Sequence, residues 1–174
     1  MTQEPMPGQQ AGRGMLIAAW VIGLALLTWA FGVWEDRKDN PNRSIQGQVV
    51  NGVQEVVLRR NRSGHYVVPG QINGEDATFL LDTGATDVVV SQDLAERAGL
   101  RAGARQWAMT ANGRIEVRAT RLKRLKLGSI ELQDVSASIN PAMGGDQVLL
   151  GMSALGQVEF RQQGDRLTLR YQGD

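Results

Sequence analysis

From Met15 to Trp34 the chain reads MLIAAWVIGLALLTWAFGVW, twenty residues without one charge. At ~1.5 Å rise per residue that run makes a helix of about the ~30 Å needed to cross a bilayer core. Trp29 and Trp34 sit towards its end, where amphipathic rings favour a membrane interface. Charge begins abruptly at Glu35–Lys38 and the run has no polar face, so it predicts a membrane span rather than a core helix. A cleaved signal peptide is the competing reading, because Ala30-Phe31-Gly32 has the small-x-small form of a cleavage site. Arg13 alone precedes the run as a basic side chain, and the apolar stretch continues past that site; both favour an uncleaved anchor. Arg37, Lys38 and Arg43 follow soon after, so the count of basic residues does not fix the orientation.

Beyond the apolar run the pattern changes. Residues 35–62 are polar and turn-rich, with Asp39-Asn40-Pro41-Asn42-Arg43-Ser44 at their centre, and read as a tether. Val49–Leu58 within them has strand character, in Val53, Val56, Val57 and Leu58, and offers an alternative start for the domain. From Tyr66 onwards, short apolar runs alternate with Gly, Asn and Asp. They predict strands over Tyr66–Ile72, Ala77–Leu81, Val88–Val90, Arg105–Ala111, Arg114–Ala119, Leu125–Leu127, Val135–Ile139, Gln147–Leu150 and Leu167–Tyr171. Ser91 and Gly99 suit the two ends of one helix over Gln92–Ala98. The expected organisation is a tail over 1–14, a transmembrane helix over 15–34, a tether over 35–62 and an all-β domain over 63–174. That domain is expected to be a closed barrel or sandwich with one or two short helices.

Asn73-Gly74 and Asn112-Gly113 suit two-residue hairpin turns. The second predicts a register in which Ala111 faces Arg114, Thr110 faces Ile115, Met109 faces Glu116, Ala108 faces Val117 and Trp107 faces Arg118. One face then carries Ala108, Thr110, Ile115 and Val117, and Trp107 meets Arg118 as a cation–π pair.

Composition narrows the chemistry. The chain of 174 residues has no Cys and one His. Disulfides, thiolate nucleophiles, cysteine-ligated metals and multi-histidine metal sites within one chain are thereby excluded. Nineteen basic residues nearly balance eighteen acidic ones, a poor match to nucleic acid. Arg101–Lys126 holds eight basic residues and one acid, Glu116. That stretch reads as a solvated strand face, with a patch for anionic polymers or lipid headgroups as the alternative. His65 reads as a packing residue.

The candidate chemistry lies at Phe79-Leu80-Leu81-Asp82-Thr83-Gly84-Ala85-Thr86. An apolar strand runs into a carboxylate, a hydroxyl and a glycine, and apolar strand resumes at Val88. A carboxylate at the end of a buried strand is costly unless hydrogen-bonded, and the next glycine can bring a backbone N–H to it. A turn aspartate before glycine is the ordinary alternative. The stretch resembles the catalytic loop of retropepsin-like aspartic proteases, where apolar residues precede D-[ST]-G-[AS]. Val148-Leu149-Leu150-Gly151-Met152-Ser153-Ala154-Leu155 is similar to the family's later strand and short helix, with Leu150 and Gly151 as its second loop. Thr110, Ala111, Asn112 and Gly113 stand where the family places its flap, although Ala-Asn-Gly departs from the glycine-rich viral tip.

The resemblance covers about Gly64–Tyr171, and with the N-terminal anchor it looks like the bacterial membrane-tethered branch. It implies an aspartic endopeptidase acting on polypeptides without metal or cofactor, with its soluble domain on the periplasmic or extracytoplasmic side. Asp82 would be catalytic, with Thr83, Gly84 and Ala85 forming its loop. Such a mechanism needs two carboxylates, and Asp134-Val135-Ser136 and Asp146-Gln147-Val148 both lack the glycine. One chain then supplies one catalytic Asp, and the enzyme is expected to be a homodimer. Arg166–Tyr171 is expected to be the unpaired terminal strand at which two chains join, with Leu167 and Leu169 packing on Val56 or Leu58. The alternatives are a catalytically inactive tethered peptide-binding or dimerisation domain of the same fold, and a basic domain for anionic envelope polymers.

Overall fold

In the computed structural model of the chain, residues 7–45, 47–50, 52–110 and 113–173 are described. Helix α1 spans Pro7–Asp39, and its segment Gly14–Gly32 is long and apolar enough to cross a membrane. Trp20 and Trp29 are exposed in it, 67% and 69%.

The second unit begins at Asp39. Its first elements are β1 (Gln48–Val50), β2 (Val53–Arg59), β3 (Val67–Ile72), β4 (Glu75–Leu81) and β5 (Val88–Ser91). Helix α2 (Gln92–Arg97) follows, then β6 (Arg105–Thr110), β7 (Gly113–Leu127), β8 (Ile130–Asn140) and β9 (Gln147–Leu150). Helix α3 (Met152–Leu155), β10 (Glu159–Gln163) and β11 (Arg166–Tyr171) complete it.

Strands β3-β4-β9-β5-β8-β7 form a sheet that a β3–β7 pairing closes into a ring, with β6 attached outside β7. This is the expected closed all-β body. Its interior is filled by alternate residues of each strand, among them Val68, Phe79, Val88, Val90, Leu122, Leu132, Ile139 and Val148, all nearly or fully buried. The expected helix is present: the Ser91 hydroxyl accepts from the N–H of Leu94, and Gly99 takes φ +63° beyond its end.

Several expectations need correction. The predicted strands Arg114–Ala119 and Leu125–Leu127 are one strand, β7, of 15 residues. Its first part pairs with β6 and its remainder with β8, so the polar middle is held in the β8 ladder rather than breaking into a loop. The stretch 35–62 is not a free tether. Its strands β1 and β2 join a second sheet of order β1-β2-β11-β10, and Val56 and Leu58 are completely buried there.

Asn42, only 6% exposed, ties the start of this unit to the sheet. Its side-chain amide donates to the carbonyls of Arg59 and Val67, and its side-chain oxygen accepts from the N–H of Arg59. The terminal strand is also not an edge. β11 is flanked by β2 and β10, with Leu167 opposite Leu58 and Leu169 opposite Val56. The packing partners are therefore those expected, while the free edge lies one strand further out, at β10.

Candidate active site

Strand β9 explains the geometry of the Asp82 loop. It inserts between β4 and β5, parallel to the first and antiparallel to the second. The chain leaving β4 at Leu81 must therefore cross the end of β9 before re-entering the sheet at Val88. Residues Asp82–Asp87 make that crossing directly over Gly151. A Cβ on Gly151 would lie 2.1 Å from the carbonyl oxygen of Asp87 and 2.8 Å from that of Ala85. Only hydrogen fits between the loop and the strand it crosses.

The loop is fixed from both sides by backbone groups. The N–H of Asp82 donates to Leu150 at 3.1 Å, and the Asp82 carbonyl accepts from the N–H of Ala85 at 3.2 Å. The Gly84 N–H donates to Asp82 Oδ1 at 2.9 Å, the contact expected of a glycine two positions on. From below, the N–H groups of Met152 and Ser153 donate to the carbonyls of Ala85 and Thr86, each at 2.8 Å. The Ser153 hydroxyl accepts from the N–H of Val88 at 3.0 Å and donates to the carbonyl of Ser136 at 2.7 Å. The carboxylate thus stands half-buried on a braced turn, with one oxygen tied to the backbone.

Above the loop the β6–β7 hairpin closes a cavity of about 810 Å³. Asp82, Gly84 and Ala85 line its floor, with Asp87 and Leu149 beside them. Ala108, Thr110, Ile115 and Val117, the four residues expected on one hairpin face, line the roof, together with Trp107 and Met109 of the other face. The register differs from expectation by two residues. Thr110 pairs with Gly113, Met109 with Arg114 and Trp107 with Glu116. Thr110 also donates its hydroxyl to the Gly113 carbonyl at 2.8 Å. Gly113 is therefore a strand residue paired with Thr110, and Ala111 and Asn112 of the expected flap lie outside the described residues. Because a shift of two preserves which side chains share a face, the faces are as read and only the partners change. Arg114, not Arg118, sits over the Trp107 ring, 4.4 Å from its centroid. Glu116 pairs instead with Arg105 at 3.4 Å.

The candidate residues thus separate by place. Asp82, Gly84, Ala85 and Thr110 face the cavity, while Leu150 and Gly151 support the loop beneath. Thr83 instead lines a smaller hollow with Tyr66, Leu155 and Phe160. Sequence reasoning missed Asp87, Gln106, Ser138 and Asn140 on the cavity wall. Ser138, a polar side chain at 5% exposure within a strand, carries no motif that singles it out. Among the described residues, no group of three or more His, Asp or Glu is placed to hold a metal ion.

This arrangement of loop, crossing strand and covering hairpin has known counterparts. A family model described as "gag-polyprotein putative aspartyl protease" matches residues 68–157. The chain belongs to this retropepsin-like aspartyl protease family. The crystal structure of a retropepsin-like aspartic protease from Rickettsia conorii superposes with a TM-score of 0.56 at 26% identity. That match covers 74% of this chain and 94% of that one. An uncharacterised Sinorhizobium protein from the cobV 5′ region is 30% identical over 167 residues, 88% of this chain and 72% of its own length. A second uncharacterised protein, RP867 of Rickettsia prowazekii, is 28% identical over 124 residues. The chain covers 68% of itself and 52% of that protein in this match. The matched family region runs from β3 through α3, so it contains both the Asp82 loop and its Gly151 support.

Proposed function

We propose that this protein is a membrane-anchored aspartic endopeptidase whose active site is completed by two Asp82 residues in a homodimer. The observation that carries the reading is the Asp82 loop itself, braced over Gly151 and opening into a cavity that a hairpin covers. A cavity of about 810 Å³ with a carboxylate on its floor has room for several residues of an extended polypeptide. Peptide hydrolysis needs a base to activate water and an acid to protonate the leaving amine. Two carboxylates side by side do not both ionise, so they share a proton and supply both functions. In this reading one carboxyl takes a proton from the attacking water while the other protonates the departing nitrogen. Asp82 is the one carboxylate of the chain in such a loop, so its counterpart comes from a second copy about a two-fold axis. The loop Thr83-Gly84-Ala85 carries the carboxylate, and the hairpin over Trp107–Ala119 acts as the flap.

The helix over Gly14–Gly32 is the anchor in this reading, and the protease unit lies on the periplasmic or extracytoplasmic side. Confinement to a membrane raises the local concentration of protomers and so favours the dimer.

The test is digestion of a peptide library by the full chain in detergent, with Asp82→Asn as comparison. The substitution keeps shape and hydrogen-bonding capacity while removing the base. Cleavage is expected to fall by at least ~10²-fold, the lower part of the range for general acid–base catalysis. Equal cleavage by both proteins would refute the assignment. Binding without cleavage by the parent chain would favour an inactive peptide-binding domain instead.

A further inference from the structure

We infer that the second copy docks on the free edge of β10, with Phe160 on the two-fold axis; this rests on the dimeric reading above and specifies where its two halves meet. All five residues of β10 are exposed, and Phe160 is 47% exposed although its strand neighbour opposite, Leu169, is completely buried. An exposed strand edge carrying a large apolar side chain is a place where another strand adds. The edge is also next to the candidate site. Phe160 and Gln162 share a hollow of about 260 Å³ with Thr83, Tyr66, Leu81 and Leu167. The Tyr66 hydroxyl is buried without a hydrogen-bond partner among the described residues. Thr83 follows Asp82 directly, so whatever covers this hollow lies against the Asp82 loop.

The edge is self-complementary in one register. β10 and β11 are joined by the two-residue turn Gly164-Asp165, with Gly164 at φ +62°, so Gln163 and Arg166 close the hairpin. A two-residue hairpin closes on a hydrogen-bonded pair, and such pairs alternate along the ladder. Glu159, Arg161 and Gln163 therefore bond inwards to β11, leaving the N–H and C=O of Phe160 and Gln162 aimed outwards. Two antiparallel β10 edges centred on Phe160 exchange those bonds reciprocally, as a two-fold interface demands.

In this register Glu159 stands opposite the partner's Arg161, and Arg161 opposite the partner's Glu159. A register centred on Arg161 would set two like charges face to face, which disfavours it. The axis then runs normal to the sheet, past the paired Phe160 rings and into the hollows lined by Thr83. The two Asp82 loops are thereby brought to the same axis, and the β1-β2-β11-β10 sheets become one continuous sheet.

The natural absence of cysteine makes a clean test. Opposed residues of a non-hydrogen-bonded antiparallel pair have Cα atoms about 4.5 Å apart, within the ~4.4–6.8 Å that a disulfide spans. Full-length Glu159→Cys and Arg161→Cys chains, mixed in detergent and mildly oxidised, are expected to give a disulfide-linked heterodimer, with much less of either homodimer. Phe160→Asp is expected to raise the dimer dissociation constant by about 30-fold, the loss of one interface hot spot. Glu159→Arg is expected to weaken the dimer, and the exchange Glu159→Arg with Arg161→Glu to restore it. A parent chain that sediments as a dimer, is unaffected by Phe160→Asp and gives no selective heterodimer would overturn the β10 interface while leaving the dimeric enzyme standing. A parent chain that is active as a demonstrable monomer would overturn both.

Discussion

Ser153 shows how the loop around Asp82 depends on residues that never touch the cavity. Its hydroxyl is the partner of the Val88 N–H and of the Ser136 carbonyl, so it joins the loop's exit to strand β8. Ser153→Ala leaves both groups without that partner, at a cost of about 1–3 kcal/mol. A lowered Tm and a reduced kcat with little change in KM are expected, measured by calorimetry and steady-state cleavage. Asp82 and Gly84 are legible in the sequence because local geometry demands them, and Gly151 is legible through the resemblance of Val148–Leu155 to the family's later strand. A carboxylate ends the strand, and a glycine turns its N–H back to it. Ser153 was not legible in that role. Its two bonds reach residues 65 and 17 positions away, and no local pattern encodes such a contact.

The β6–β7 hairpin makes the same point at the scale of the element. Alternation of small or apolar residues with large or charged ones fixed the face that roofs the cavity: Ala108, Thr110, Ile115 and Val117. The partner of each residue depends on turn geometry instead, and the Asn112-Gly113 signal put Gly113 in the turn although it pairs with Thr110 in the ladder. Strand β10 was missed altogether, because Glu159-Phe160-Arg161-Gln162-Gln163 has a single apolar residue and no buried face. It exists as the outer half of a hairpin, held by β11. Ala108 is half-buried on the cavity roof, so filling the space it leaves tests the hairpin's part in substrate binding. Ala108→Trp is expected to raise KM or abolish cleavage while leaving Tm within a few degrees of the parent. Unchanged kcat and KM would place substrate elsewhere.

For the whole molecule, the consequential difference from the sequence reading is where the folded unit starts. A tether over 35–62 is what the sequence suggests, because that stretch is polar and rich in turn formers. The buried positions that contradict it, Asn42, Val56 and Leu58, are few and widely spaced. The partners of Val56 and Leu58 in β11 lie more than a hundred residues later. Burial of Val56 and Leu58 is worth about 1.5–3 kcal/mol each, comparable with a domain's whole margin of ~5–15 kcal/mol when the Asn42 bonds are added. A chain beginning at Asp39 is therefore expected to unfold cooperatively, whereas one beginning at residue 63 is expected to be unfolded or aggregated. Circular dichroism melts of the two would decide. A stable, cooperative 63–174 fragment would show that the β1-β2 segment is dispensable.

The central claim is that one active site contains Asp82 from each of two chains. Its most direct measurement is the cleavage rate of parent chain co-assembled with Asp82→Asn chain at equal total protein. If both carboxylates are required, random pairing at equal proportions leaves about a quarter of the dimers with two aspartates. The rate should then fall to about a quarter of the parent's, following the square of the parent fraction as the proportion is varied. A rate that falls only in proportion to the parent fraction, to about one half at equal mixing, would mean that each chain acts alone and would contradict the account.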